Sequence, residues 1–165
     1  MNRTVTTAVI AVSQLALVGV GVAPQLSARL AGDTYLMNVA PIDPMDPFRG
    51  AYVALDYPDL RHDDSQSFVE PGLGALDDGE SGDVFITLEK RGDVWGAADW
   101  SRERPSDGPY LACDDRSWQI RCGIESWFLP QDEAAATEDL LRDGAVAEVK
   151  VDGRGNAAVV GVRAP

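Results

Sequence analysis

Residues 4–28 carry no formal charge, and across residues 8–23 only Ser13 and Gln14 interrupt an apolar run. A membrane crossing takes about 20 residues at about 1.5 Å each. Residues 4–23 supply that length, with Thr and Ser hydroxyls able to bond back to the helix and without the polar stripe of a buried soluble helix. Arg3 and the terminal amine precede the run and Arg29 follows it, which places the N-terminus inside and the remainder outside. Residues 24–32 read as a short tether. Beyond it the apolar period shortens to two. Residues 34–40 form a first strand, and Pro41, Pro44 and Pro47 then exclude helix. Residues 50–57 form a second strand, with Val53, Leu55 and Tyr57 on the core face and Tyr52, Ala54 and Asp56 opposite.

Residues 58–82 lack periodicity and read as a long surface loop. A hairpin follows, 83–90 and 94–100 around Arg91-Gly92-Asp93; a second pairs 109–113 with 117–122. Residues 126–129 make a short element. Pro130 opens a soluble helix over 131–142, stopped by Gly144. Strands 145–151 and 157–162 close the chain across Asp152-Gly153-Arg154-Gly155-Asn156, where the glycines are expected to supply positive φ. This order predicts a mainly β (β-rich α+β) fold: a compact antiparallel β domain of about eight strands with one packed helix, behind one N-terminal transmembrane or signal helix. Of the 165 residues, 1–28 form the anchor or signal segment and 29–165 a single domain. Gly21-Val22-Ala23 offers a small-x-small cleavage site, but Pro24 directly after it disfavours processing, so a retained anchor is the preferred reading.

Charge narrows the partners. With 27 acidic against 14 basic residues, a net −13, the chain repels phosphate backbones, which excludes nucleic acid. The same charge argues against a basic lipid-binding surface on the folded domain, since clustered Lys and Arg are absent, and leaves the N-terminal segment as the membrane contact. Cys113 and Cys122 bracket the turn-like Asp114-Asp115-Arg116-Ser117, which reads as a disulfide across a hairpin in an oxidising compartment. Two thiols in a reduced cell are the alternative. A zinc site would need His62 and carboxylates at no recognisable spacing, so neither metal nor cofactor is expected.

Gly50-Ala51-Tyr52-Val53-Ala54-Leu55-Asp56-Tyr57 resembles the motif that names the GDYXXLXY family, with Ala51 where the eponymous Asp stands. Pro41-x-Asp43-Pro44 and Phe48-Arg49 before it also match members. A second block, Gly123-Ile124-Glu125-Ser126-Trp127-Phe128-Leu129-Pro130, resembles their G-I-E-x-Y-F-V-P segment, with Trp127 for Tyr and Gln131 where Glu follows. The resemblance implies a single-span membrane protein with a small extracytoplasmic domain, often encoded beside multi-span membrane proteins. It carries no activity with it, and Ala51 leans away from chemistry at that position.

Asp43, Arg49, Tyr52 and Glu125 are the ligand- or partner-binding candidates. Arg49 suits a carboxylate or phosphate through its two-pronged fork, with Asp43 and Glu125 as polar neighbours. The structural alternative is an Arg49–Glu125 ion pair pinning the proline loop to the sheet. Asp43 with Asp46 or Glu125 has the residue types of an acid–base pair, yet 27 acidic residues bring some pair together by chance. His62 stands in Arg61-His62-Asp63-Asp64 with no G-x-S-x-G elbow, and Lys90 and Lys150 imply no serine partner. The acidic stretch 77–83 lacks an EF-hand pattern and reads as a solvated loop. Trp95, Trp100, Trp118 and Trp127 read as core or rim packing. The expected function is a non-catalytic envelope domain, anchored in the membrane, that serves a multi-span membrane protein. Its alternatives are an extracytoplasmic small-ligand binder or a carboxylate-based hydrolase.

Overall fold

A computed structural model describes residues 3–41, 52–61, 79–117, 120–129, 140–141 and 144–165. Helix α1, Arg3–Ala31, runs unbroken through Pro24. Up to Val22 its large apolar side chains are half to three-quarters exposed, so this part stands clear of the domain and is long and apolar enough to cross a membrane. The expected tether after Pro24 is instead the last two turns of this helix. Proline deletes one N–H and crowds the carbonyl four residues back, a loss that apolar helices absorb by local adjustment; here the domain also grips the turns that follow.

Eight strands follow among the described residues: β1 Asp33–Pro41, β2 Tyr52–Asp56, β3 Asp83–Arg91, β4 Val94–Ser101, β5 Tyr110–Asp114, β6 Ser126–Phe128, β7 Ala145–Val151 and β8 Ala157–Arg163. They form two antiparallel sheets, β6-β2-β1-β7-β8 and β4-β3-β5. Strand β1 changes partner along its length. Asp33 to Val39 pair with β7, and Ala40 and Pro41 with β2. The sheets share one core, in which Met37, Val53, Leu55, Val149 and Val159 of the larger meet Val84, Ile86 and Leu111 of the smaller. The core face expected of the second strand holds, since Val53, Leu55 and Tyr57 are all but fully buried, while Asp56 of the opposite face is buried as well. Trp100 lies in the core, and Trp95 stands edge-on to Tyr35 at 4.9 Å, joining β4 to β1.

The first hairpin turns at Gly92, whose φ of 67° lies in the left-handed region that favours glycine. In the second, only β5 is a strand among the described residues. Its return is a single bridge, Asp114 to Arg121, with N–H···O distances of 2.9 and 2.8 Å in the two directions. Cys113 and Cys122 close this loop as a disulfide. Replacing both by serine is expected to cost about 2.5 to 3 kcal/mol of stability, the loop-closure entropy of a ring of this size, and a urea titration of oxidised protein against the double variant measures it. Asp115 lies in the turn-like cluster between the cysteines. It is fully buried, pairs with Arg102 at 2.6 Å and accepts the N–H of Gly82 at 2.6 Å, which binds the start of β3 to the end of β5. Of the expected helix over 131–142, Leu140 and Leu141 are described and are helical; Gly144 beyond them has a φ of 91° and donates to the Leu141 carbonyl. The rest of that helix lies outside the described residues.

Candidate functional site

Asp43 and Arg49 lie outside the described residues, as do Asp46, His62 and Trp118. Tyr52 opens β2 opposite Phe128 of β6. Glu125 precedes β6, and its carboxylate accepts the backbone N–H groups of Cys122 and Gly123, folding the loop after the disulfide onto itself. The two motif-like blocks are thereby partners of one another. Val53 faces Trp127 and Ala54 faces Ser126 across the ladder, Leu55 N–H donates to the Glu125 carbonyl at 2.9 Å, and the Tyr57 hydroxyl donates to the Ile124 carbonyl at 2.9 Å. Burial, and after it the Glu125 charge, pushes the Tyr57 hydroxyl well above its ordinary pKa, so it stays protonated and keeps donating. Tyr57→Phe leaves the Ile124 carbonyl unsatisfied in the core and is expected to cost about 1 to 2 kcal/mol, read as a lower urea midpoint at unchanged slope.

Two places carry polar chemistry. The first is a cleft of ≈ 370 Å³ between the 3-10 turn Pro58–Leu60 and β4, lined by Asp59, Arg61, Arg91, Asp99 and Trp100. Asn38 Nδ2 holds the Asp59 carboxylate at 2.7 Å, and a side chain at Gly96 would meet the Asp59 carbonyl at 3.0 Å, so the turn sits directly on β4. Arg61 pairs with the buried Asp56, and Arg91 with Glu89 and the Ala97 carbonyl. Two guanidinium groups and two carboxylates suit a small charged ligand over an apolar one.

The second is the junction between α1 and the end of the larger sheet. Asp152 leads the β7–β8 turn and is buried. It accepts the N–H groups of Arg154 and Asn156 at 2.9 and 3.0 Å, the Asn156 side-chain amide at 2.9 Å and the Ser27 hydroxyl of α1. Burial alone would raise this carboxyl; the Asn156 and Ser27 side chains and the two N–H groups outweigh it and hold its pKa below the ordinary value. Around this anchor Gln25 Nε2 donates to the Gly123 carbonyl at 3.1 Å and Arg29 to the Val159 carbonyl at 3.2 Å. Lys150 Nζ caps the Arg29 carbonyl at 3.0 Å, satisfying a group that a helix end leaves open. Gly32 follows with no room for a side chain, since a Cβ would stand 2.4 Å from the Ala28 carbonyl oxygen and 2.9 Å from the Val151 backbone. The expected glycine pattern of the turn is half right. Gly155 has a φ of 81°, while Gly153 is not in the positive region.

Reasoning from sequence missed this junction. Its one local signal is an aspartate opening a Gly-rich turn, which caps its own loop; that Ser27, 125 positions away, shares the carboxylate has no signature along the chain. The family model described as GDYXXLXY protein matches residues 14–162. No curated protein matches the chain, and no solved structure does.

Proposed function

This chain belongs to the GDYXXLXY family, and we propose that it is a membrane-anchored envelope protein whose domain acts as a non-catalytic accessory to a multi-span membrane protein. The observation that supports this reading is the seating of α1. Gln25, Ser27 and Arg29 bond into the domain while the apolar turns before Val22 stand free of it. A domain acting on a diffusing molecule needs only a flexible tether, whereas one that presents a face to a neighbour in the same bilayer gains from a fixed orientation relative to its span. The Cys113–Cys122 disulfide fits an extracytoplasmic address.

Purification of the full-length protein from native membranes in mild detergent, with mass spectrometry of what co-elutes, tests the reading. A stoichiometric multi-span partner is expected, and a flexible Gly-Ser insertion between Ala23 and Pro24 is expected to lose it while the melting temperature of the domain holds. Recovery of the protein alone, or a partner indifferent to the insertion, would refute the accessory role. A second reading, a small-ligand binder, is supported by the charged cleft at Arg61 and Arg91. The carboxylate-based hydrolase has less behind it, because the Glu125 carboxylate is committed to two backbone N–H groups.

A further inference from the structure

We infer that the α1 junction is a lipid-headgroup site, in which Lys150 and Arg154 hold the phosphate of anionic phospholipids in the outer leaflet of the protein's own membrane. The inference rests on reading α1 as a retained anchor, and concerns what the domain does where that anchor leaves the bilayer. No cation cluster is visible along the sequence; folding makes one, by carrying Lys150 to the Arg29 carbonyl and Arg154 to the Ser27 hydroxyl, at 3.0 Å each. Three of the basic side chains of a protein with net charge −13 thus gather where one helix enters the domain.

Helix geometry sets the depth. If residues 4–23 fill a hydrocarbon layer of about 30 Å, Ser27 stands about 6 Å beyond its edge, within a headgroup layer about 5 to 8 Å thick. Arg154, bonded to Ser27, shares that level, and Lys150, bonded to the Arg29 carbonyl, stands about 9 Å beyond the edge, at the aqueous rim of the layer. The seated turns are themselves two-faced: Ala28 is buried on the domain, while Leu26 and Leu30, one turn apart, are 50% and 76% exposed and continue the line of Val18 and Val22. An apolar line flanked by cations is the pattern of a segment lying at the acyl–headgroup boundary.

Three acids stand near the cations: Asp152, 3.7 Å from Arg154, is buried and spends its oxygens on four other donors; Glu148, two positions before Lys150, pairs with Arg163 at 2.9 Å; and Asp33 is exposed at the start of β1. Arg154 uses Nη2 for Ser27 and, at 3.7 Å, for Asp152, leaving Nε and Nη1 without a protein partner among the described residues. Its side chain is 67% exposed. Lys150 Nζ keeps two donors beyond its bond to Arg29. Both cations therefore keep donors for the phosphate of a lipid beside α1.

Native mass spectrometry of the full-length protein in detergent, titrated with phosphatidylglycerol or phosphatidylcholine, tests this, with liposome flotation reporting insertion. Wild type is expected to retain phosphatidylglycerol in preference. Lys150→Gln with Arg154→Gln is expected to weaken that retention about five-fold per cation, or about 25-fold for both, with the melting temperature only slightly lowered by the two lost junction bonds, and the charge-keeping pair Lys150→Arg with Arg154→Lys is expected to restore it. Excess inorganic phosphate is expected not to displace the lipid. Flotation without any lipid preference, a preference that survives the double Gln variant, or displacement by free phosphate would each overturn the headgroup site and leave the anchor standing; failure to float would overturn the anchor and the site with it.

Discussion

Gly155→Ala is expected to lower stability by about 4 kcal/mol, or the melting temperature by about 10 °C for a chain of this size. Three costs combine. An L-residue held at a φ of 81° is strained by about 1 to 2 kcal/mol. The new Cβ would stand 2.6 Å from the Tyr110 ring and 2.8 Å from the Ala112 backbone nitrogen, and β5 cannot retreat without disturbing its ladder to β3; overpacking of this kind costs about 1 to 3 kcal/mol. The Ala112 N–H also donates to the Gly155 carbonyl at 2.9 Å, the bond by which the smaller sheet is tied to the turn of the larger. Differential scanning calorimetry of the full-length protein in detergent measures the sum. A melting temperature within two degrees of wild type would mean that the turn and β5 part easily, and the two sheets would then not be held at this point.

Asp152→Ala is expected to cost about 3 to 4 kcal/mol, because four donors, two on the backbone and two on side chains, lose a charged acceptor together. Its signature depends on pH. The folded carboxyl has a pKa below its unfolded value of about 3.9, so the wild-type protein binds fewer protons than the unfolded chain in that interval. The contribution is therefore full above the unfolded pKa and is lost as pH falls through the folded one. The stability difference between wild type and Asp152→Ala should be flat from neutral pH down to about 5 and should shrink below about 4. A difference that grew in acid would contradict the carboxylate role. Releasing Ser27 also frees the seated turns, so amide exchange in residues 25–31 should quicken in the variant more than in the sheet ladders.

Both substitutions act on one joint, where α1, the larger sheet and the smaller sheet meet. If the domain is an accessory to a membrane neighbour, this joint is the part that holds its orientation. Loss of a co-purifying partner should then follow Asp152→Ala more closely than the core change Tyr57→Phe, even where the latter also lowers stability.

What the sequence determined by itself is what local physics writes into neighbouring residues. The charge-free run at the N-terminus specifies an apolar helix, the structure in which a single segment satisfies its own backbone. Period-two alternation specifies β2 and its core face at Val53, Leu55 and Tyr57, and Gly92 specifies a tight hairpin. Cysteines nine positions apart across a turn specify their own pairing. The tertiary structure decided the rest, for reasons of distance. Pro24 reads as a helix end when seen locally, yet bonds to Gly123, Asp152 and Val159, 98 to 130 positions away, hold the helix together beyond it. Asp115 and Asp152 sit in turn-like stretches, and are buried because donors from other elements reach them. Glu125, a ligand candidate by its neighbours, spends its carboxylate on the loop beside it. Cations scattered at positions 29, 150 and 154 become a cluster only after β7 and β8 fold against α1, since charge along a chain and charge in space agree only where the contacts are local.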